Sequence, residues 1–215
     1  MRILRTTFVG LIALTTAGWF VTSALARGQN ARPGGQGMPM DGMKMDGMTG
    51  MSMTKEQKIA NALTAGPASV TGKAAVMDWP EKDGMAPVLL RAGTNGWSCF
   101  PDMPNTKGND PACMDKSWMA WAEAYMSHKA PRLTNVGVAY MMGPGGADAS
   151  NSDPFAMSQT PTNHWAHHPP HVMIVTPDLK SLEGLPTDPA NGGPYVMFAG
   201  TPYAHIMAPV QAPMK

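Results

Sequence analysis

The sequence His164-Trp165-Ala166-His167-His168-Pro169-Pro170-His171-Val172-Met173 holds four of the six histidines and ends in a His-x-Met pair. The same pair recurs at His205-Ile206-Met207. Side chains two residues apart point to the same face of an extended strand. Each pair therefore predicts a strand that carries one imidazole and one thioether side by side.

The ligand chemistry of the two pairs points to copper. Thioether is a soft ligand that selects Cu(I), and imidazole also suits copper. If His171–Thr176 pairs with the closing strand Ala204–Val210, two nitrogens and two sulfurs meet on one face. A face turned to a cleft beneath Gly143–Pro170 would make a soft metal site. A face turned into a dry core would instead leave packed methionines beside hydrogen-bonded histidines.

An enzyme remains an alternative. His164, His167 and His168 could join His171 in a metal-dependent hydrolase or oxidoreductase, since three histidines and an open position make a catalytic zinc site. Two prolines interrupt this cluster, the acidic residues are scattered, and no nucleophile elbow, zincin motif or nucleotide-binding loop occurs. The sequence favours a carrier over an enzyme. A third possibility is an envelope module that binds a small ligand or another protein.

Residues 1–26 have the features of a secretory signal peptide. Arg2 and Arg5 precede an apolar run, and Ala24-Leu25-Ala26 matches an A-x-A cleavage site. We expect Sec-type export to the periplasm or the medium with cleavage after Ala26; an uncleaved anchor is the alternative. After cleavage we expect no membrane association. Only 14% of residues are charged and the net charge is +1, which argues against a nucleic-acid partner.

Residues 27–53 form a methionine-rich segment, for which the sequence predicts disorder. Seven thioethers lie two or three residues apart, separated mainly by Gly, Asp and Lys: Met38, Met40, Met43, Met45, Met48, Met51 and Met53. Methionine normally fills gaps in a core, and this composition has no core to fill. The segment resembles the methionine-rich segments of exported bacterial copper-handling proteins. That resemblance implies a metal ion and other envelope copper proteins as partners; a low-complexity linker is the alternative.

Residues 54–215 predict one α+β domain, mainly β, with a sheet, one amphipathic helix packed on it and long irregular loops. Thr54 and Gln57 form a capping-box pattern for a helix that Gly66 and Pro67 end. Asp115 caps the amphipathic helix, Lys116–His128. Short apolar runs predict strands at Ala68–Met77, Pro87–Ala92, Gly96–Phe100, Thr134–Met142, His171–Thr176, Tyr195–Ala199 and Ala204–Val210. Gly143–Pro170 and Leu185–Pro194 are the predicted irregular loops.

The two cysteines, Cys99 and Cys113, flank a loop rich in Pro, Asp, Asn and Gly. An even pair in an exported protein predicts a disulfide. Two thiolate ligands of a metal site are the alternative, and they would have to survive an oxidising compartment.

The domain also resembles a family of uncharacterised exported bacterial proteins. The shared motifs are Gly96-Trp97-Ser98-Cys99-Phe100-Pro101, Asn109-Asp110-Pro111, Pro170-His171-Val172-Met173, Gly184-Leu185-Pro186-Thr187-Asp188-Pro189 and Pro202-Tyr203-Ala204-His205-Ile206-Met207. The resemblance covers most of the mature chain. It implies a folded domain and brings no particular activity with it.

Overall fold

A computed structural model describes residues 53–82, 85–104 and 106–210. These residues all belong to one compact unit. It is an α+β domain made mainly of strands, as the sequence predicts. None of the helices in the described ranges is both long and apolar enough to span a bilayer.

Three α-helices accompany the sheet. Helix α1 (Lys55–Ala62) has the predicted capping box between Thr54 and Gln57 and continues as a 3₁₀ turn, Leu63–Ala65. Helix α2 (Ala68–Thr71) occupies the first part of the predicted strand Ala68–Met77, so that part of the prediction is wrong. Helix α3 (Lys116–Met126) begins at the predicted cap, where the Asp115 carboxylate accepts a hydrogen bond from the Trp118 N–H.

Besides the 3₁₀ helices Leu179–Leu182 and Pro189–Asn191, the described residues form ten short strands. They are β1 (Ala75–Asp78), β2 (Val88–Arg91), β3 (Ser98–Phe100), β4 (Ala112–Met114), β5 (Gly137–Met141), β6 (Ala147–Ser150), β7 (Trp165–His168), β8 (His171–Val175), β9 (Tyr195–Met197) and β10 (His205–Pro209). Eight form one sheet in the order β2-β1-β3-β4-β5-β8-β10-β9, and β6 pairs with β7 in a separate hairpin. All neighbours run antiparallel except β1 and β3, which are parallel.

The hairpin of β6 and β7 corrects the prediction that Gly143–Pro170 is wholly irregular. Strand β6 alternates over only four residues, with alanine as its apolar residue, and β7 does not alternate, so the period-2 signal of a strand is weak. Ser150 pairs with Trp165, and the Asn151 N–H bonds the His164 carbonyl just beyond that pair. The segment between Asn151 and His164 is irregular, as the sequence predicts.

The sheet has a different core on each face. The larger core lies on the face that α3 covers, and it contains Trp118, Trp121, Met173 and Met207. The opposite face packs small apolar residues around Cys99 and Cys113. These cysteines lie directly opposite each other on β3 and β4 and are bonded, which confirms the predicted disulfide and rules out their role as thiolate ligands.

Candidate metal site

The two His-x-Met pairs lie on adjacent strands, as the sequence predicts. Strands β8 and β10 run antiparallel, and Met173 lies directly opposite Met207. Directly opposite residues on neighbouring strands share a face, with Cβ atoms about 5 Å apart. Because side chains alternate along each strand, His171 and His205 point to that same face. The sheet register therefore places all four candidate ligands on the face covered by α3. This face is turned into the larger core, and not to a cleft beneath Gly143–Pro170 as one of the two sequence-based alternatives required.

The four residues form a two-fold arrangement around the pair of methionines. His171 precedes Met173 on one strand, and His205 precedes Met207 on the strand that runs the other way. The histidines therefore lie at opposite ends of the set, about 13 Å apart when measured along the strand direction. An ion bound by both imidazoles requires both rings to turn toward the methionines.

Each imidazole is held in the same way by the backbone two residues earlier. His171 Nδ1 lies 2.6 Å from the Pro169 carbonyl oxygen, and His205 Nδ1 lies 3.0 Å from the Tyr203 carbonyl oxygen. A carbonyl oxygen only accepts hydrogen bonds, so in both rings Nδ1 carries the proton. The remaining nitrogen, Nε2, keeps its lone pair. Histidines commonly bind metals in this tautomer, with the other ring nitrogen donating a hydrogen bond.

Burial keeps both imidazoles neutral. His171 and His205 are each 2% exposed. Burial lowers the pKa of each from 6.5 to about 4, although the backbone hydrogen bond opposes the shift and neighbouring histidines add to it. Both rings are therefore unprotonated at pH 7. Each can offer its Nε2 lone pair without first losing a proton.

The Nε2 atom of His171 is buried and has no hydrogen-bond partner. Leaving such an atom unpaired costs roughly 1–3 kcal/mol, and native structures contain few of them. The atom belongs to a ring with Met173 two residues along its own strand. A buried ring nitrogen without a partner, on a sheet face that also carries thioethers, is the observation that most distinguishes this face from ordinary packing.

Three further methionines lie on the same face, and no sequence pattern singled them out. Met141 lies directly opposite His171, and Met197 lies directly opposite His205. Met114 lies one strand beyond Ala139, which separates it from Met173. None of the three belongs to a His-x-Met pair, so only the strand order brings them here.

Aromatic rings enclose His205. Trp118, Trp121 and Phe198 meet its imidazole edge-on, at centroid distances of 5.3, 5.2 and 5.5 Å. Both tryptophans come from α3, whose apolar face packs on the sheet. These rings shield the imidazole from water.

The other three histidines of the cluster at 164–171 do not join this set as ligands. His164 and His167 are exposed, and His167 Nδ1 lies 2.8 Å from the Asp148 carboxylate. His168 is buried, but its Nδ1 bonds the Tyr195 hydroxyl at 2.6 Å and its Nε2 faces the Ala149 carbonyl at 3.4 Å. Both nitrogens of His168 therefore have partners within the protein.

Within residues 53–82, 85–104 and 106–210, no three His, Cys, Asp or Glu side chains are grouped so that they could hold a metal. The three-histidine site that the hydrolytic alternative requires is therefore absent from that part of the chain. Met38, Met40, Met43, Met45, Met48 and Met51 lie outside the described residues. Met53, just before the cap of α1, is half-buried.

Comparison of the chain with protein-family models, with curated proteins and with solved structures found no match.

Proposed function

We propose that this chain is an exported protein that binds Cu(I) through His171, Met173, His205 and Met207. The buried, unpartnered Nε2 of His171, on the same sheet face as the Met173–Met207 pair, carries the proposal. The ligand set supports it because thioether sulfur selects Cu(I) over harder ions. The protein would act in copper handling or tolerance in the periplasm, where its signal-like N-terminus directs it.

The charge of the surroundings supports a monovalent ion. Among the described residues, no carboxylate is hydrogen-bonded to or ion-paired with His171 or His205. A buried cation therefore has no carboxylate to neutralise it, and the cost of burying charge rises steeply with its size. Cu(I) and its analogue Ag(I) bring one positive charge, whereas Zn²⁺ and Cu²⁺ bring two. We expect the site to prefer the monovalent ions.

The methionine-rich segment would act as a collector of the same ion. Spacing of two or three residues lets several of the thioethers between Met38 and Met53 wrap a single soft cation. Deleting residues 38–53 should lower the Cu(I) or Ag(I) stoichiometry. The melting temperature of the metal-free domain should stay nearly unchanged, because the segment is predicted to make no core contacts. Unchanged metal uptake would make the segment a linker.

The core site is tested by titrating the mature chain from Arg27 with Ag(I), and with Cu(I) under reducing conditions against a chromogenic chelator. The variant M173L/M207L removes both sulfurs but keeps the side-chain volume. Such swaps cost less than about 1.5 kcal/mol each, so the variant should fold. We expect it to bind one ion fewer than the wild type and to lose the tightest binding phase.

The matched control is M114L/M119L. Met114 is buried in the same core and Met119 packs against it, but neither lies beside a candidate histidine. This variant should bind as the wild type does. If M173L/M207L keeps the wild-type stoichiometry and affinity, or if Zn²⁺ binds as tightly as Ag(I), the proposed site is wrong.

A further inference from the structure

A small cleft opens at the end of the sheet where β8 ends and β10 begins. Its lining includes Thr176, which follows β8, Ala204, which precedes β10, and Trp121 of α3. The cleft has a volume of about 70 Å³. It is far smaller than a pocket for a drug-sized ligand, but it can hold several water molecules or a small ion with part of its hydration shell.

Trp121 lies between this cleft and the candidate metal site. Its indole lines the cleft and also meets the His205 imidazole at a centroid distance of 5.2 Å and an interplanar angle of 74°. Ala204, on another side of the cleft, is the chain neighbour of His205. The space that water can enter therefore comes within one aromatic ring of a buried candidate ligand.

We propose that this cleft is the path by which the soft cation reaches His205, and that the Trp121 indole closes it. The proposal rests on the Cu(I) site described above and adds how that site exchanges its ion. A site whose ligands are almost fully buried needs such a path, because none of its four side chains meets bulk solvent directly.

The wall of the cleft favours movement of Trp121 over movement of the backbone. Pro131, Pro177 and Pro202 line it, and each proline ring fixes its own φ angle. The Nε1 atom of Trp121 is buried without a hydrogen-bond partner. Turning the indole toward the cleft would give this N–H water to bond. That gain would partly offset the loss of its stacking on Tyr125, at 5.2 Å.

Trp118 provides a close comparison within the same helix. Its ring also meets His205 edge-on, at 5.3 Å, and it is also buried. It does not line the cleft. Shortening Trp118 to Phe therefore loosens the packing around His205 to a similar extent but leaves the proposed path closed.

The test measures how fast the mature protein, loaded with one equivalent of Ag(I) in its core site, releases the ion to excess chelator. The core phase is the one that M173L/M207L lacks. We expect W121F to release the ion about tenfold faster, the change that lowering a barrier by roughly 1.4 kcal/mol produces. W118F should stay within about twofold of the wild type, on the same conversion.

A third variant fills the mouth of the cleft from outside. Leu179 lines the cleft and is 38% exposed, so Leu179→Trp adds bulk with little disturbance of the core. It should slow release without changing stoichiometry. This variant also tests the proposed path if W121F does not fold.

If W121F and W118F accelerate release of the ion equally, the cause is a general loosening of the packing, and the proposed path is wrong. An unchanged release rate in L179W would also contradict the path. Absence of the core phase from the wild type would instead overturn the metal site itself. The two failures are therefore distinguishable.

Discussion

The two faces of the eight-stranded sheet are packed with different chemistry. The face under α3 carries two buried imidazoles and several thioethers. The opposite face is filled by small apolar residues and closed by the disulfide. A core needs no imidazole to be apolar, and an unpaired ring nitrogen costs free energy that a leucine would not. The face around the disulfide therefore has the composition that a stable core requires. The face under α3 carries groups that stability alone does not explain.

The largest expected effect concerns the imidazoles and the acid stability of the metal-free protein. The pKa of His171 and of His205 falls from 6.5 to about 4 on folding. Between these values the unfolded chain binds protons that the folded chain does not. The stability from each neutral ring is thus fully present above pH 6.5 and is lost as the pH falls toward 4. Lowering the pH from 7.5 to 4.5 should remove about 2–3 kcal/mol for each ring.

Urea unfolding at the two pH values measures this loss. In His205→Leu, the loss should be smaller than that of the wild type by about 2–3 kcal/mol, because one of the buried imidazoles is gone. His164→Gln, at an exposed position, is the control and should behave as the wild type does. An equal pH dependence in His205→Leu and the wild type would contradict the assignment.

The next effect concerns the opposite face. Cys99 and Cys113 are 14 residues apart, and closing a loop of that length stabilises a protein by about 3 kcal/mol in the chain-entropy model. C99A/C113A should lose about that much in urea unfolding at pH 7. Its Ag(I) stoichiometry should equal that of the wild type. A lost equivalent of Ag(I) would mean that the two faces are not independent, and titratable thiols in the denatured wild type would contradict the disulfide.

The smallest effect lies in the loop that the disulfide closes. Burial, followed by the neighbouring Asp102 carboxyl, raises the pKa of Asp110 from 3.8 to about 7. Here the folded chain binds the extra proton, so this stability is fully present below pH 3.8 and is lost as the pH rises through 7. Asp110→Asn cannot ionise and keeps an oxygen to accept the hydrogen bonds of the Met103 N–H and the Thr106 hydroxyl.

Asp110→Asn should therefore exceed the wild type in stability by about 2 kcal/mol at pH 8, with the shared titration of the two carboxyls reducing the gain. The difference should shrink toward zero at pH 4. Asp188→Asn, on the surface, is the control. A variant equal to the wild type at both pH values would show that Asp110 is ionised in the folded protein.

The sequence by itself determined the features that depend on near neighbours. The capping box of Thr54, the start of α3 at Asp115 and the shared face of each His-x-Met pair all follow from geometry within a few residues. The pairing of Cys99 with Cys113 followed from there being just two cysteines in a chain with a predicted signal peptide. The strand prediction failed at Ala68–Thr71, where the segment after Pro67 forms a helical turn. So short a segment is compatible with either a strand or a helix.

Only the tertiary structure decided which side chains surround the histidines. Strand order and register set Met141 opposite His171 and Met197 opposite His205, and no local pattern encodes pairings between strands so far apart in the chain. Burial beneath α3 likewise fixed the charge of the two imidazoles, because the loss of water that lowers their pKa comes from residues distant in sequence. The sequence supplied the histidines and methionines of the candidate site, and long-range packing determined the protonation of the imidazoles and their neighbours.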